Sequence, residues 1–188
     1  GRSAEALRGQ LARLSQDFDA RELDPVDIGL SLATTRAALE HRAVLLGRDG
    51  DVLGSGLVVS GVVTEGRTAW MFTGQGSQRL GMGRELHAVY PQFARAFDET
   101  VALLEAELSG VDGFPMSLRE VLFADEGRLD RTGYAQAALF AVQVACVELL
   151  RSWGVTPDVV LGHSIGEYAA AYTAGVFELP DAVRLVAA

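Results

Sequence analysis

A serine flanked by glycines is the feature of this sequence best suited to covalent chemistry. Residues 162–166 read Gly-His-Ser-Ile-Gly, which matches the G-x-S-x-G pattern, in which a sharp strand-to-helix turn exposes a nucleophilic serine. The β-branched run at 158–161 predicts the strand, and the small side chains at 168–174 predict the helix. We therefore predict that Ser164 is a nucleophile, the alternative being a glycine-rich turn with an incidental serine.

The same turn is suited to stabilising negative charge beside the serine. Gly162 and Gly166 permit a backbone path that a Cβ atom would obstruct. The N-terminus of the following helix directs N–H groups toward the hydroxyl, where the oxyanion of a tetrahedral intermediate would form. The turn is therefore predicted to hold both the nucleophile and part of its oxyanion site.

A general base for the serine is not evident in the sequence. His163 is adjacent, but neighbouring side chains at a tight turn point apart, whereas a base must come within about 2.6 to 3.2 Å of the hydroxyl. We interpret His163 as a packing or hydrogen-bonding residue. His41 and His87 lie in segments with no link to the turn. The base is therefore expected beyond Ala188.

A second glycine-rich loop, residues 74–83, follows the apolar strand predicted at 68–72. The dinucleotide pattern would need glycine where Arg79 stands, and the P-loop pattern would need lysine where Met82 stands, so both nucleotide interpretations fail. Gln75 lies between glycines directly after a strand, and its backbone N–H is our candidate for a second oxyanion donor. The alternative is a tight connection without a catalytic role.

The elements that position these two loops are predicted from hydrophobic periodicity. A helical pattern begins at residue 84, continues through 93–108 and breaks at 110–115. Strands that lead into helices through glycine-rich turns favour an α/β fold with a parallel sheet. A further helix at 117–122 and a long, apolar, central helix at 134–153, closed by Gly154, complete this part of the chain.

The first third is predicted to be a small α/β scaffold without convergent chemistry. Ser3 is a candidate N-cap for a helix over 3–18, and Pro25 precedes a second helix. That second helix is predicted over 27–40, strands over 41–47 and 57–63, and an acidic, glycine-rich loop over 47–56.

Composition excludes several classes of protein. Of 188 residues, 49% are hydrophobic and 22% charged, which is typical of a packed globular domain and not of disorder, collagen or a coiled coil. The net charge is −9, and no basic cluster provides a phosphate-binding face, so nucleic acid is not expected as a partner.

A membrane or metal role is not indicated either. The longest uncharged run near the middle, residues 132–147, contains two glutamines and is too short to span a bilayer. Cys146 is the one cysteine, and no Cys/His cluster has metal-ligand spacing. The chain begins at Gly1 without a signal peptide, so we expect a part of a longer cytoplasmic protein.

Three segments together carry a resemblance to a known family. Residues 72–83 (Phe-Thr-Gly-Gln-Gly-Ser-Gln, then Gly-Met-Gly at the end), 134–140 (Tyr-Ala-Gln-Ala-Ala-Leu-Phe) and 162–167 occur in the order found in the acyltransferase domain of modular type I polyketide synthases. They are also similar to the malonyl-CoA:acyl-carrier-protein transacylases of fatty-acid synthesis. The first third resembles the linker between ketosynthase and acyltransferase, through residues 3–8, 31–36 and 40–42.

This resemblance implies a domain organisation. Residues 1–67 would form the linker subdomain, and 68–188 the first part of an α/β-hydrolase-like acyltransferase core with a parallel sheet. Linkers of this kind usually hold a helix where this chain has only 47–56, so that segment is either shortened or incomplete. The ketosynthase would belong to the same polypeptide.

The resemblance also implies roles for particular residues. Ser164 would accept the acyl group, the backbone amides of Gln75 and Ile165 would form the oxyanion hole, and Gln136 and His163 would line the substrate pocket. The family's base histidine and carboxylate-binding arginine are expected beyond the end of the chain. Arg184 falls short of that arginine's position, and we interpret it as a solvated helix residue.

The implied reaction is transfer of an extender from acyl-CoA to the phosphopantetheine arm of an acyl carrier protein, with no cofactor bound by the chain itself. Ile165 and residues 132–136 match the pattern of malonyl-selective domains rather than methylmalonyl-selective ones. One methyl group is worth only about 1 to 3 kcal/mol of discrimination in an apolar pocket. Malonyl-CoA is therefore the predicted substrate and methylmalonyl-CoA its rival.

Two other functions remain open from the sequence. A serine hydrolase of the α/β type shares the turn around Ser164. A non-catalytic role, in which the linker sets the spacing between neighbouring domains, is what we expect of these 188 residues in isolation, because no base follows the serine.

Overall fold

The computed structural model describes residues 1–20, 24–46 and 57–188. The glycine-rich loop predicted at 47–56 therefore lies outside the described residues. The chain divides into two compact units, Gly1–Gly66 and Arg67–Ala188.

The first unit contains two helices and a two-stranded sheet. Ser3 caps the first helix as predicted, since its Oγ accepts the Ala6 N–H at 3.1 Å. Asp24 caps the second helix, accepting the Val26 N–H at 2.7 Å. The elements are α1 (Ala4–Ala20), α2 (Pro25–Thr35), β1 (His41–Leu46) and β2 (Leu57–Val62), with β1 and β2 antiparallel.

The predicted end of the second helix was wrong. Helix α2 stops at Thr35, and Arg36 is already extended, with φ −97° and ψ 141°. The chain after Thr35 leads into the sheet and is not helical. The Glu40 carbonyl accepts the Val63 N–H at 2.8 Å, next to the β1–β2 pair.

The second unit has the predicted α/β character. Its strands β3 (Ala69–Phe72) and β4 (Val159–Gly162) pair in parallel. Its helices are α3 (Arg84–Val89), α4 (Pro91–Glu107), α5 (Leu118–Ala124), α6 (Glu126–Leu129), α7 (Thr132–Ser152), α8 (Gly166–Thr173) and α9 (Leu179–Ala187). The fold class predicted from the sequence is confirmed.

Helix α7 is the centre of this unit. It packs against α4, α5, α8 and α9, and Tyr134, Phe140 and Val144 on it are at most 1% exposed. Gly154 ends it with a φ of +74°, which fits the predicted glycine stop. Among the described residues, α7 alone is long and apolar enough to cross a membrane, but most of its apolar window is buried, as in the core helix of a globular unit.

Other boundaries differ from the periodicity. The helical pattern predicted from residue 84 onward is broken at Tyr90, which is extended, with φ −112° and ψ 108°. Pro91 begins the next helix because its missing N–H needs no partner there. The four-residue α6 was not predicted. For α9 only the helical state of Arg184 was predicted and not its bounds; the helix begins at Leu179, with Pro180 in its first turn.

Candidate active site

Parallel pairing of β3 and β4 brings the two glycine-rich loops together. Phe72, the last residue of β3, lies opposite Gly162, the last residue of β4. The pairing extends one step further, because the His163 N–H donates to the Phe72 carbonyl at 3.0 Å. Both loops therefore leave the sheet at its carboxyl edge, where open α/β sheets bind ligands.

Ser164 has the backbone conformation expected of a nucleophile at a sharp turn. Its φ is +55°, and no other non-glycine residue in the described part of the chain has a positive φ. This region costs an L-residue about 1 to 2 kcal/mol, and such strain is concentrated at functional sites. The side chain is exposed, and the Ser164 carbonyl accepts the Glu167 N–H at 2.9 Å as α8 begins.

Both glycines of the turn are required by the packing. A Cβ atom on Gly162 would lie 2.4 Å from the backbone nitrogen and Cα of Glu167. A Cβ on Gly166 would lie 2.4 Å from the carbonyl oxygen of Phe72. Backbone atoms cannot move away as side chains can, so the strand, the turn and the helix meet only because these side chains are absent.

The loop after β3 lies directly against this turn. A Cβ on Gly74 would be 2.6 Å from Nδ1 of His163 and 3.2 Å from Cβ of Ser164. Gly74 is buried, whereas the side chain of the next residue, Gln75, is exposed. The structure thus places the Gln75 segment next to Ser164, although the two are far apart in sequence.

The backbone amides of Gln75 and Ile165 are available as donors. Within the part of the chain that the structure describes, neither amide donates a hydrogen bond to a protein acceptor, whereas the next amide in each loop does: Gly76 to Oε1 of Gln78 at 2.7 Å, and Gly166 to the His163 carbonyl at 3.0 Å. Ile165 is buried, and buried amides are nearly always paired, whereas Gln75 is exposed. Both amides could therefore donate to a further acceptor.

Ser77 fixes the geometry of the loop from within. Its hydroxyl bonds Oγ1 of Thr73 at 2.7 Å and donates to the Gly74 carbonyl at 2.9 Å. These two bonds join Ser77 to Thr73 and to Gly74, the glycine that packs against Ser164. Sequence reasoning missed Ser77, because a serine in a glycine-rich loop is ordinary.

Helix α7 and the turn before it hold the loop from outside. Nε2 of Gln75 donates to Oγ1 of Thr132 at 3.3 Å, and Nε2 of Gln78 donates to Oδ1 of Asp130 at 3.0 Å. These contacts join the loop to the segment 132–136 that carried the extender-selectivity pattern. Sequence analysis did not foresee this contact.

Gln136 and Gln143 lie along one face of α7. Nε2 of Gln143 donates to the Thr73 carbonyl at 2.8 Å, and Gln136, about two helical turns earlier, is half-buried on the same face. The predicted pocket residue Gln136 is therefore on the helix face that meets the loop. Gln143 was missed as a site residue, although a polar side chain in an otherwise apolar helix was a signal for it.

The histidines are the side chains to consider as a base for Ser164. His163 is exposed and lies beside Gly74. Nε2 of His87 lies 2.8 Å from Oδ1 of Asp98 in a cluster on α3 and α4. Within the described ranges, no hydrogen bond joins a histidine ring to the Ser164 hydroxyl.

A polar cluster anchors the helix that follows the serine. The Tyr172 hydroxyl on α8 donates to Oε1 of Glu148 on α7 at 3.0 Å, and Arg151 donates to the same oxygen and to the Thr173 carbonyl, each at 2.8 Å. Burial, followed by the hydrogen bond to Glu148, raises the pKa of Tyr172 to about 12. Tyr172 is thus a neutral donor at physiological pH.

Comparison with known proteins identifies the family. The family described as "Acyl transferase domain" matches residues 69–188. Polyketide synthase GfsA of Streptomyces halstedii is 48% identical over 204 residues, which cover 100% of this chain but 3% of GfsA. The 204 aligned positions exceed the 188 residues of this chain, so GfsA has residues within the aligned region that have no counterpart here.

Solved structures give the same result. The acyltransferase domain from module 8 of the salinomycin polyketide synthase is 38% identical, with a TM-score of 0.87, and the match covers 100% of this chain and 47% of that one. A chain in the structure of a type II polyketide synthase acyl-carrier protein in complex with its malonyl-transacylase is 32% identical, with a TM-score of 0.55. That match covers 65% of this chain and 37% of the solved chain. The chain spans less than half the length of these structures. It belongs to the acyltransferase domain family, among the members found in modular type I polyketide synthases.

Proposed function

We propose that this chain provides the nucleophile and the oxyanion donors for transfer of a malonyl group from CoA to the phosphopantetheine thiol of an acyl carrier protein. The main support for the proposal is the strained turn at Ser164, which packs against Gly74. The backbone N–H groups of Gln75 and Ile165, in the same two loops, donate to no protein acceptor among the described residues. Acyltransferase family membership supports the reaction class.

The transfer takes two steps at one serine. Oγ of Ser164 attacks the malonyl thioester, its proton passes to a general base, and the C–S bond breaks to release CoA as the protonated thiol. The carrier's thiol then attacks the serine ester and loses its proton to the same base. The bond between the acyl carbon and Oγ of Ser164 breaks, and the base returns the proton to the serine hydroxyl. We expect the base to be a histidine outside these residues.

Each tetrahedral intermediate places a negative oxygen near the two amides. Preorganised N–H donors stabilise this charge without reorganisation, and loss of one donor typically costs about 10² to 10³ in rate. Gln75 contributes one amide from the β3 loop, and Ile165 contributes the other from the start of α8.

Malonyl-CoA is the proposed extender donor, and methylmalonyl-CoA is its rival. Ile165 and residues 132–136 support malonyl by their resemblance to malonyl-selective domains. Thr132 accepts a hydrogen bond from the Gln75 side chain, so this segment is close enough to influence the acyl site. The pocket would also include Gln136 and His163.

The partners follow from the reaction. An acyl carrier protein is supported by the malonyl-transacylase relative that was solved in complex with its carrier. We further propose that residues 1–67 are the linker to a ketosynthase of the same cytoplasmic polypeptide, and that the chain itself holds no cofactor.

Mass measurement of the intact protein tests this function. We expect the complete synthase module, prepared without the phosphopantetheine arm on its carrier, to gain one malonyl group from malonyl-CoA, more rapidly than a methylmalonyl group from methylmalonyl-CoA, and a Ser164→Ala variant to gain neither. Failure of the unaltered module to form a Ser164-dependent adduct would overturn the mechanism. Rapid release of free malonate without a carrier would instead indicate a hydrolase, and turnover by the 188 residues alone would contradict a base outside them.

A further inference from the structure

The Gln143 side chain is a polar group that the core of the second unit does not explain. Gln143 is half-buried beside the fully buried Val144 of α7, and a buried amide oxygen or nitrogen is unfavourable unless it is hydrogen-bonded. Nε2 is bonded to Thr73, but Oε1 is buried and has no hydrogen-bond partner in the described part of the chain. A leucine or methionine would avoid this unpaired oxygen, so packing alone does not account for the residue.

The acceptor for Gln143 lies at a critical point of the oxyanion loop. The Thr73 carbonyl is the first beyond β3, and the Gln143 amide donates to it at 2.8 Å. The same carbonyl is tightly packed against α8, because a Cβ on Gly166 would lie 2.8 Å from its oxygen. Gln143 thereby fixes the peptide unit that joins Thr73 to Gly74.

Ser77 fixes the next peptide unit. Its hydroxyl donates to the Gly74 carbonyl at 2.9 Å, and that carbonyl belongs to the same planar unit as the N–H of Gln75. In a trans peptide the N–H points away from the C=O, so holding the Gly74 oxygen sets the direction of the Gln75 amide.

We propose that Gln143 and Ser77 are positioning residues that hold the two carbonyls on either side of Gly74 and so aim the Gln75 amide at the acyl group on Ser164. The inference rests on the proposed function, since it needs an acyl-serine intermediate. Neither residue touches the substrate; both act through the peptide units of the loop. Donors aimed before the reaction are what makes an oxyanion site effective.

The test is single-turnover acylation of the complete synthase module by malonyl-CoA, followed by intact mass. We expect Ser77→Ala and Gln143→Met each to lower the acylation rate at saturating malonyl-CoA by about tenfold, part of the loss expected when a whole donor is removed. The half-saturating concentration should stay within twofold. Ser77→Thr retains the hydroxyl and should restore most of the rate.

A matched control removes the same kind of bond elsewhere. The Ser152 hydroxyl donates to the Leu149 carbonyl at 2.7 Å at the far end of α7, so Ser152→Ala should acylate at the unaltered rate. The double variant Ser77→Ala with Gln143→Met should lose no more than about 10³, because both changes act on one amide.

Two results would overturn the inference. One is an unaltered acylation rate in folded Ser77→Ala protein, which tests the proposal even if Gln143→Met does not fold. The other is a change confined to the half-saturating concentration, which would indicate a binding role. Absence of any Ser164-dependent adduct in the unaltered module is a different result, because it removes the proposed function itself.

Discussion

Gly166 approaches Phe72 so closely that a Cβ atom built on the glycine would lie 2.4 Å from the Phe72 carbonyl oxygen. That oxygen also accepts the His163 N–H at 3.0 Å. The end of β3, the turn and the first residue of α8 are therefore in direct contact, and Ser164 lies between them. Ser164 can hold this position only because Gly166 has no side chain.

Replacing Gly166 with alanine should disrupt both stability and acylation. Overpacking typically costs about 1 to 3 kcal/mol, and a shift of α8 would displace Ser164. Gly127→Ala is the control, because the nearest atom to its Cβ is 3.7 Å away and alanine favours a helix. Urea unfolding should show a large loss for Gly166→Ala alone; equal stability of the two variants would show that the contact relaxes without cost.

The strain at Ser164 should be measurable as a difference between two inactive variants. Both Ser164→Ala and Ser164→Gly lack the hydroxyl, but glycine adopts the observed φ of +55° without steric cost. We expect Ser164→Gly to be more stable than Ser164→Ala by about 1 kcal/mol in chemical denaturation. If alanine is the more stable of the two, the positive φ carries no strain.

The local part of this site could be predicted from sequence. The turn at 162–166 follows a short-range rule, since the pattern of a serine with a glycine two residues away on each side, between a predicted strand and a predicted helix, involves only neighbouring residues. The strand before the turn and the helix after it were predicted from the residue types on either side. The long helix that is closed by Gly154 was predicted from hydrophobic periodicity and a glycine stop.

The long-range contacts could not be predicted in this way. Gln143 meets Thr73 across many intervening residues, and its place in an apolar helix does not specify which loop its amide will contact. In the sequence it served only as evidence against a membrane span. The Gln75 contact with Thr132 likewise depends on how α7 packs against the loop, which periodicity does not specify.

Tyr172 should make stability depend on pH in the alkaline range. Burial and the hydrogen bond to Glu148 raise its pKa to about 12 in the folded protein, above its ordinary value of 10.0. The folded state therefore keeps the proton that the unfolded chain loses, and stability falls as pH rises from about 10 to 12. Because the hydroxyl is only half-buried, solvent screening should limit this loss to about 1 kcal/mol.

Removing the Tyr172 hydroxyl checks this dependence. Tyr172→Phe should be less stable than the unaltered protein near pH 8, because Glu148 loses a donor. The difference should shrink between pH 10 and 12, since phenylalanine has no proton to lose. Denaturation at a series of pH values measures both slopes, and parallel curves across that range would contradict the raised pKa.

Tyr134 offers a test of a buried bond that supports the start of α7. The ring is 1% exposed, and its hydroxyl donates to the Met116 carbonyl at 2.9 Å while accepting the Met116 N–H at 3.1 Å. Tyr134→Phe keeps the ring against Phe114, whose centroid is 4.6 Å away, but leaves two backbone groups without partners. Unsatisfied groups of this kind cost about 1 to 3 kcal/mol.

The control for Tyr134 is the tyrosine on α8. Tyr168 is half-buried, and its hydroxyl makes no hydrogen bond to another described residue, so Tyr168→Phe removes the same atom without leaving a backbone group unpaired. Urea unfolding should separate the variants by at least about 1 kcal/mol. Equal losses would mean that water replaces the hydroxyl at Met116, and the turn before α5 would then be held by packing rather than by this pair of bonds.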